Sequence, residues 1–246
     1  ILKDFFSSHP KSDIPEHIRS NAIWASPNLL PLFLHPDVDI QKMAVPLAIA
    51  FYKPDEADFS KLNNCAQHPD MFVNLRIIKL IFDLKLVGTF HPDSLVTYIF
   101  TCASNLFSQC KSSFDATTFG VGKEIYNLLF SIGHIHPKSE ANIRKGYAHS
   151  LWVIFKSTHD ATLLNQAIEH VDVAVSKIQE DTLGIGEIYG AQSSIYAEKA
   201  TISNDIKDFE AAIEAGEKCI VHMPNDATNK IHYLFNLTSA YNQKNI

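Results

Sequence analysis

Two stretches of the sequence, 45 positions apart, decide the fold. Residues 158–169 read THDATLLNQAIE, and residues 203–214 read SNDIKDFEAAIE. In both, an Asp precedes a segment whose apolar residues recur with the three- and four-residue spacing of one helix face. Asp is a favoured N-cap, because its carboxylate accepts hydrogen bonds from the first free N–H groups of a helix. Each stretch therefore predicts that a helix begins at the same point of a repeated unit.

The same spacing extends toward the N-terminus. Aspartates separated by 45 residues occupy positions 70, 115, 160 and 205. A second marker with this spacing is a His-Pro pair at residues 91–92 and 136–137, continued by Asp181 and Asp226. Two markers with one period predict repeated units near residues 70–114, 115–159, 160–204 and 205–246, the last of them incomplete.

Each unit predicts a pair of helices. After Asp205 an apolar stripe continues until Pro224, which cannot extend a helix, and a second helix is expected to begin near Thr228. One pair buries only one face, so pairs must stack to close a core. Signals for strands are nearly absent. The sequence therefore predicts an all-α solenoid of helix pairs with a 45-residue period over residues 68–246.

The first 67 residues are less regular. They contain seven prolines, so the helices there must be short or kinked. We expect residues 1–67 to form an irregular N-terminal helical cap, with a separate globular domain as the alternative. Because residue 1 is Ile and a helical pattern continues to the last residues, we also expect the chain to be a segment of a longer protein.

The repeated stretch resembles a known family. The pattern Thr/Ser-x-Asp-x-x-(Asp/Leu)-(Leu/Phe)-x-x-Ala-Ile, at residues 158–168 and 203–213, is similar to the tetratricopeptide-like repeats in front of CHAT (caspase-like) peptidase domains. The resemblance implies a right-handed α-solenoid that recognises protein partners, or alternatively a regulatory segment of a larger CHAT-type peptidase or another fused effector. The Gly of that family before the Asp is replaced by His159, Asn204 and Phe114. Left-handed backbone suits Asn well, His less and Phe poorly.

Composition excludes several classes of function. The 246 residues are 46% hydrophobic and carry a net charge of −6, which is typical of a globular chain and argues against a broad nucleic-acid surface. No apolar run reaches the ~18 residues of a membrane-spanning helix, and no signal peptide is visible. The cysteines form no C-x-x-C pair, so we expect buried thiols in a cytoplasmic protein; they are Cys65, Cys102, Cys110 and Cys219.

Patterns for catalysis, metals and cofactors are weak. His134 and His136, with Glu140 nearby, are the best metal candidates, but zinc needs three or four convergent ligands and His-Pro recurs here as a turn. Residues 120–123 read GVGK, lack the complete phosphate-loop pattern and are expected to open a helix. The acidic clusters of an α-helical hydrolase or cyclase are absent. We therefore assign no catalytic, metal or cofactor residue and expect no enzyme activity in this segment.

The remaining hypothesis is a scaffold for protein–protein interaction. Helix-pair arrays bind partners through a concave surface, mainly with the first helix of each pair. The pairs could be phased either way in this sequence, so no contact residues are assigned. Six phenylalanines have the spacing of core residues and are expected to be buried; they are Phe72, Phe82, Phe100, Phe107, Phe119 and Phe130.

Overall fold

The chain is all-α in the part that its structure describes. The computed structural model describes residues 71–83, 92–180 and 184–223, together with Asp37, Thr182 and Tyr241. These residues contain seven helices and no strand, which confirms that the fold is all-α. The helices are α1 (Met71–Asp83), α2 (Pro92–Ser112), α3 (Ala116–Phe130), α4 (Pro137–Thr158), α5 (Ala161–Ser176), α6 (Ile185–Ser203) and α7 (Ile206–His222).

Several predictions concern residues outside this description. The N-terminal cap over residues 1–67 is one of them, apart from Asp37, and the helix expected near Thr228 is another. Four residues of the two repeat markers also lie outside it, namely Asp70, His91, Asp181 and Asp226, and so does the Cys65 thiol.

Two compact units divide the chain. One comprises Ile1–Leu106 and Gly120–Ile132, and the other comprises Phe107–Phe119 and Gly133–Ile246. In the first unit, Phe100 of α2 packs edge-on against Tyr126 of α3, with ring centroids 6.3 Å apart. A salt bridge joins Lys79 of α1 to Glu124 of α3.

In the second unit, helices pack as neighbouring hairpins. α4 packs mainly on α5, α6 mainly on α7, and α6 also contacts both α4 and α5. Ala141, Ala174 and Ile188 form a fully buried cluster where α4, α5 and α6 meet. The packing therefore decides the phase that the sequence left open, since each hairpin has its Asp at the beginning of its second helix.

Aspartate caps α5 and α7, as predicted, and each of these helices is the second of its hairpin. Asp160 Oδ1 accepts a hydrogen bond from the Thr162 N–H at 2.9 Å. Asp205 Oδ1 accepts one from the Lys207 N–H at 3.0 Å. Each carboxylate satisfies a donor that has no partner inside its helix, and such a cap stabilises a helix by about 1 kcal/mol.

Left-handed residues end the first helix of these two hairpins. His159 has φ 56°, and Asn204 has φ 54°. Their N–H groups donate to Phe155 O at 2.7 Å and to Ala200 O at 2.8 Å, which satisfies carbonyls at the helix ends. His159 therefore adopts the conformation that a His enters less readily than an Asn or a Gly.

The turn between α2 and α3 differs from the other two. α2 ends at Ser112, so two residues rather than one precede the capping Asp115. Phe114 is not among the described residues with positive φ. The capping contact survives, because Asp115 Oδ2 accepts from the Thr118 N–H at 2.6 Å. A bulky aromatic residue thus coincides with a longer turn that avoids left-handed backbone.

Burial confirms part of the predicted core: of the six phenylalanines one is buried, one is exposed, and four are half-buried, namely Phe82, Phe100, Phe119 and Phe130. Phe107 is fully buried, and it packs edge-on against Phe119 and Tyr147 at 5.4 Å each. Phe72 is 52% exposed, so its assignment to the core was wrong. Three cysteines are buried free thiols, as expected, namely Cys102, Cys110 and Cys219. Among the helices described here, none is both long and apolar enough to cross a bilayer.

Candidate interaction surface

One of the two histidines in the loop before α4 has a structural role. His136 is the N-cap of α4, where its Nδ1 accepts from the Lys138 N–H at 3.4 Å. His134 is exposed in the same loop. Over the described ranges no group of three or more His, Cys, Asp or Glu side chains is arranged to hold a metal ion. The His-Pro pair therefore acts as a helix-start turn, which is how the sequence reads.

Glu140, the third member of that set, belongs to an ion-pair network. Its carboxylate accepts from Arg144 Nε at 2.7 Å and from Lys177 Nζ at 3.0 Å. Burial alone would raise the pKa of Glu140, but the hydrogen bonds from Arg144 and Lys177 outweigh it and lower this pKa. Arg144 Nη1 lies 3.1 Å from His170 Nδ1, and the His170 ring packs edge-on against Tyr147. The network joins α4 to α5, and its charged groups are paired with one another.

The GVGK segment lies inside α3. Residues 120–123 follow four earlier residues of that helix, so the expectation that they open it was wrong by one turn. Helical N–H groups bond to carbonyls four residues earlier, as Phe119 N–H does with Asp115 O at 2.9 Å. A phosphate loop needs such N–H groups to point at the ligand. This segment therefore has the wrong backbone for that task.

One face of α4 carries large polar and aromatic side chains. Lys145, His149, Trp152 and Lys156 have the spacing i, i+4, i+7 and i+11, which aligns them along the helix. His149 and Lys156 are exposed, and Lys145 and Trp152 are half-buried. We refer to these four residues as the α4 stripe. It lies apart from the α4 side chains that face α5, such as Arg144 and Tyr147.

Trp152 is the centre of the stripe. Lys156 Nζ lies 4.1 Å from the centroid of the Trp152 ring, a cation–π distance. The His149 ring is tilted against the Trp152 ring, with ring centroids 5.5 Å apart. The indole Nε1 donates to Glu198 Oε2 of α6 at 3.3 Å. These three contacts restrict the indole to one orientation while part of it stays in contact with solvent.

Lys145 makes a second link to α6. Its Nζ donates to Glu187 Oε2 at 2.8 Å. Glu187 thus places a carboxylate beside Lys145 at one end of the stripe, and Glu198 places one beside Trp152 at its centre. The stripe binds these two carboxylates within the chain itself.

His149 lies in a positively charged environment. Desolvation of its ring and the charges of Lys111, Lys145 and Lys156 lower the pKa of His149 to about 4. The ring is therefore neutral at pH 7. Part of the His149 side chain is also exposed to solvent. Lys111, near the end of α2, is exposed as well and adds a cation from a second helix.

The corresponding face of α6 is different. The four positions 45 residues after the stripe carry small side chains or none; they are Gly190, Ser194, Ala197 and Thr201. Gly190 is buried. Large side chains therefore occur on α4 and small ones on α6, the helix that contacts it.

Sequence reasoning did not find this surface. The stripe is visible in the sequence as a four-membered pattern at helical spacing. The pattern becomes meaningful only when α4 is known to be the first helix of its hairpin, because the same residues could otherwise face a neighbouring helix. No family model, curated protein or solved structure matches this chain.

Proposed function

We propose that this chain is a protein-binding module. In this proposal the α4–α5 and α6–α7 hairpins are consecutive units of a right-handed, tetratricopeptide-like α-solenoid with a 45-residue period. The recurrence of the aspartate caps and left-handed residues 45 positions apart supports the period. The contact of α6 with both helices of the preceding hairpin supports the stacking.

The α4 stripe carries the functional part of the proposal. In a stacked array the first helices of the hairpins line the concave side, so α4 would present the stripe to a partner. Tryptophan is among the residues that dominate binding energy at protein interfaces, especially when its orientation is restricted before binding. Trp152 is such a residue, and its contacts with Lys156, His149 and Glu198 restrict its orientation.

The chemistry of the described residues suits binding more than catalysis. The titratable groups at the stripe are cations and a neutral imidazole, and their carboxylate neighbours are paired with them. Buried free thiols such as Cys102 and Cys219 fit a reducing compartment, and we propose the cytoplasm.

Affinity capture with matched variants tests this function. The wild-type chain, a His149→Ala/Lys156→Ala double variant and a Lys207→Ala control are immobilised and exposed to the same native lysate. Both altered stripe residues are exposed, and Lys207 is exposed on α7 away from the stripe, so all three chains should fold equally. We expect proteins retained by the wild type and the control to be lost by the double variant. Identical sets of retained proteins for all three chains would contradict the proposal.

A further inference from the structure

The α4 stripe already recognises carboxylates within the chain. Lys145 binds Glu187, and the Trp152 indole binds Glu198, both from α6. These contacts show that the hydrogen-bond donors of the stripe bind carboxylate oxygens. They also occupy the single indole N–H donor and pair the charge of Lys145 with a carboxylate.

Lys156 of the stripe and Lys111 of α2 are not paired with a carboxylate in the described part of the chain. Lys111 and Lys156 form no salt bridge with any residue that the structure describes. Both are exposed, and both lie close enough to His149 for their charges to act on it. At this surface three lysines, Lys111, Lys145 and Lys156, outnumber the two carboxylates, Glu187 and Glu198, in a chain whose net charge is −6. Such a local charge attracts a partner of opposite sign and selects against others.

The length of the stripe indicates how long a bound peptide segment must be to cover it. Lys145 and Lys156 are eleven residues apart on one helix, which corresponds to about 16 Å along its axis. An extended peptide covers that distance with about five residues. A short segment is therefore enough to span the stripe, including Lys156 and the indole.

We propose that the α4 stripe, together with Lys111, binds a short acidic segment of a partner protein. Carboxylates of the segment pair with Lys111 and Lys156, and its backbone or side chains pack against the exposed part of Trp152. This inference rests on the proposed function and specifies the class of partner at the same surface.

A protein segment fits better than a nucleic acid. A nucleic-acid strand carries a phosphate at every nucleotide and needs an unbroken row of cations. Here Glu187 and Glu198 interrupt the positive charge and would repel phosphates at those points. A peptide can place carboxylates only where Lys111 and Lys156 lie and neutral residues elsewhere.

Peptide binding tests the inference directly. The probes are fluorescently labelled eight-residue peptides, one of alternating Glu and Ser and one of alternating Gln and Ser, and an eight-nucleotide oligouridine. The background is Trp24→Phe, which leaves Trp152 as the sole tryptophan of the chain, so that its emission reports on the stripe. Binding is measured by anisotropy of the label and by Trp152 fluorescence.

We expect the Glu peptide to bind and to change the Trp152 emission, with affinity falling as salt rises from about 50 to about 200 mM. A Lys111→Gln/Lys156→Gln variant should bind it about tenfold more weakly, as expected for the loss of two solvent-exposed charge pairs. Lys207→Gln, which removes one exposed charge elsewhere, should bind with unchanged affinity.

Three results would overturn the inference. The Gln peptide could bind as tightly as the Glu peptide with the same change in Trp152 emission, in which case the surface binds peptides but does not select acidic ones. The oligouridine could bind more tightly than the Glu peptide through the same two lysines. The Glu peptide could also fail to bind, while stripe-dependent capture from lysate would still uphold the proposed function.

Discussion

The α4–α5 and α6–α7 hairpins share their turns but differ in how their helices are held together. Both turns use a capping Asp and a left-handed residue, with hydrogen bonds of nearly equal length. In α4–α5, Ile154 and Leu163 are both buried. The positions 45 residues later hold Lys199 and Asp208, which form a salt bridge at 2.7 Å. Turn chemistry is thus repeated, and interior chemistry is not.

This difference teaches where a repeat is constrained. A turn must satisfy the same free N–H and C=O groups in every unit, so its residues are restricted to a few types. The contact between two helices can be filled by an apolar pair or by a satisfied polar pair of similar size. α6–α7 uses the polar solution elsewhere too, since Ser193 Oγ donates to Ala212 O at 2.8 Å.

The largest expected effect concerns the close approach of α6 and α7. A Cβ added at Gly186 would lie 2.7 Å from Met223 Cγ, 3.1 Å from Met223 N and 3.2 Å from Cys219 O. Two of these atoms are backbone and cannot turn away, so Gly186→Ala should lower the free energy of unfolding by about 3 kcal/mol. Urea denaturation measures the loss.

Gly120→Ala is the matched control. A Cβ at Gly120 would meet no atom within 4 Å, and the residue lies in α3. Alanine should therefore raise the free energy of unfolding by about 0.5–1 kcal/mol through helix propensity alone. Equal effects at the two glycines would mean that α6 and α7 do not approach as described.

A second prediction exchanges the interior chemistry of the two hairpins. Lys199→Ile alone removes a hydrogen bond from the buried Asp208 carboxylate, which should cost about 2 kcal/mol. The double variant Lys199→Ile/Asp208→Leu places Ile and Leu where α4–α5 has Ile154 and Leu163. It should regain most of that loss, because it also removes the buried Asp208 carboxylate that Lys199→Ile leaves without its cation. A double variant less stable than Lys199→Ile would show that the hairpins are not interchangeable at this contact.

The same pair predicts a dependence on pH. Burial would raise the pKa of Asp208, but hydrogen bonds from Lys199 and Ser203 outweigh it and keep this pKa below its ordinary value of 3.8. A carboxyl with a lowered pKa in the folded state adds stability above the pKa of the unfolded state. That contribution should be lost in the wild type as the pH falls below 3.8 and through the folded-state pKa. The double variant should show a flatter profile in this range.

The smallest expected effect concerns the feature that the hairpins share. Asp160→Ala and Asp205→Ala should each lower the free energy of unfolding by about 1 kcal/mol, since each removes one N-cap. The two losses should agree within about 0.5 kcal/mol. Substitution by Asn, which also caps helices, should cost much less at both sites. A loss at only one site would break the equivalence of the two turns.

Sequence reasoning succeeded where a structure depends on neighbouring residues. Asp160 and Asp205 cap helices because of their own carboxylates and the next few N–H groups, and both caps were predicted. The conformation of Asn204 and the difficulty at Phe114 follow from backbone sterics, which act within one residue. Phe72 was misplaced, because spacing along a helix shows which residues share a face and does not show whether another element covers that face.

What the sequence by itself determined is the all-α class, the capping aspartates at 45-residue intervals and the absence of a recognisable catalytic or metal motif. What only the tertiary structure decided is the pairing of α4 with α5 and of α6 with α7, the salt bridge between Lys199 and Asp208, and the α4 stripe. The physical reason is range. Caps and turns are satisfied by atoms a few residues away, whereas a helix face becomes interior or surface only through contacts with residues distant in the chain.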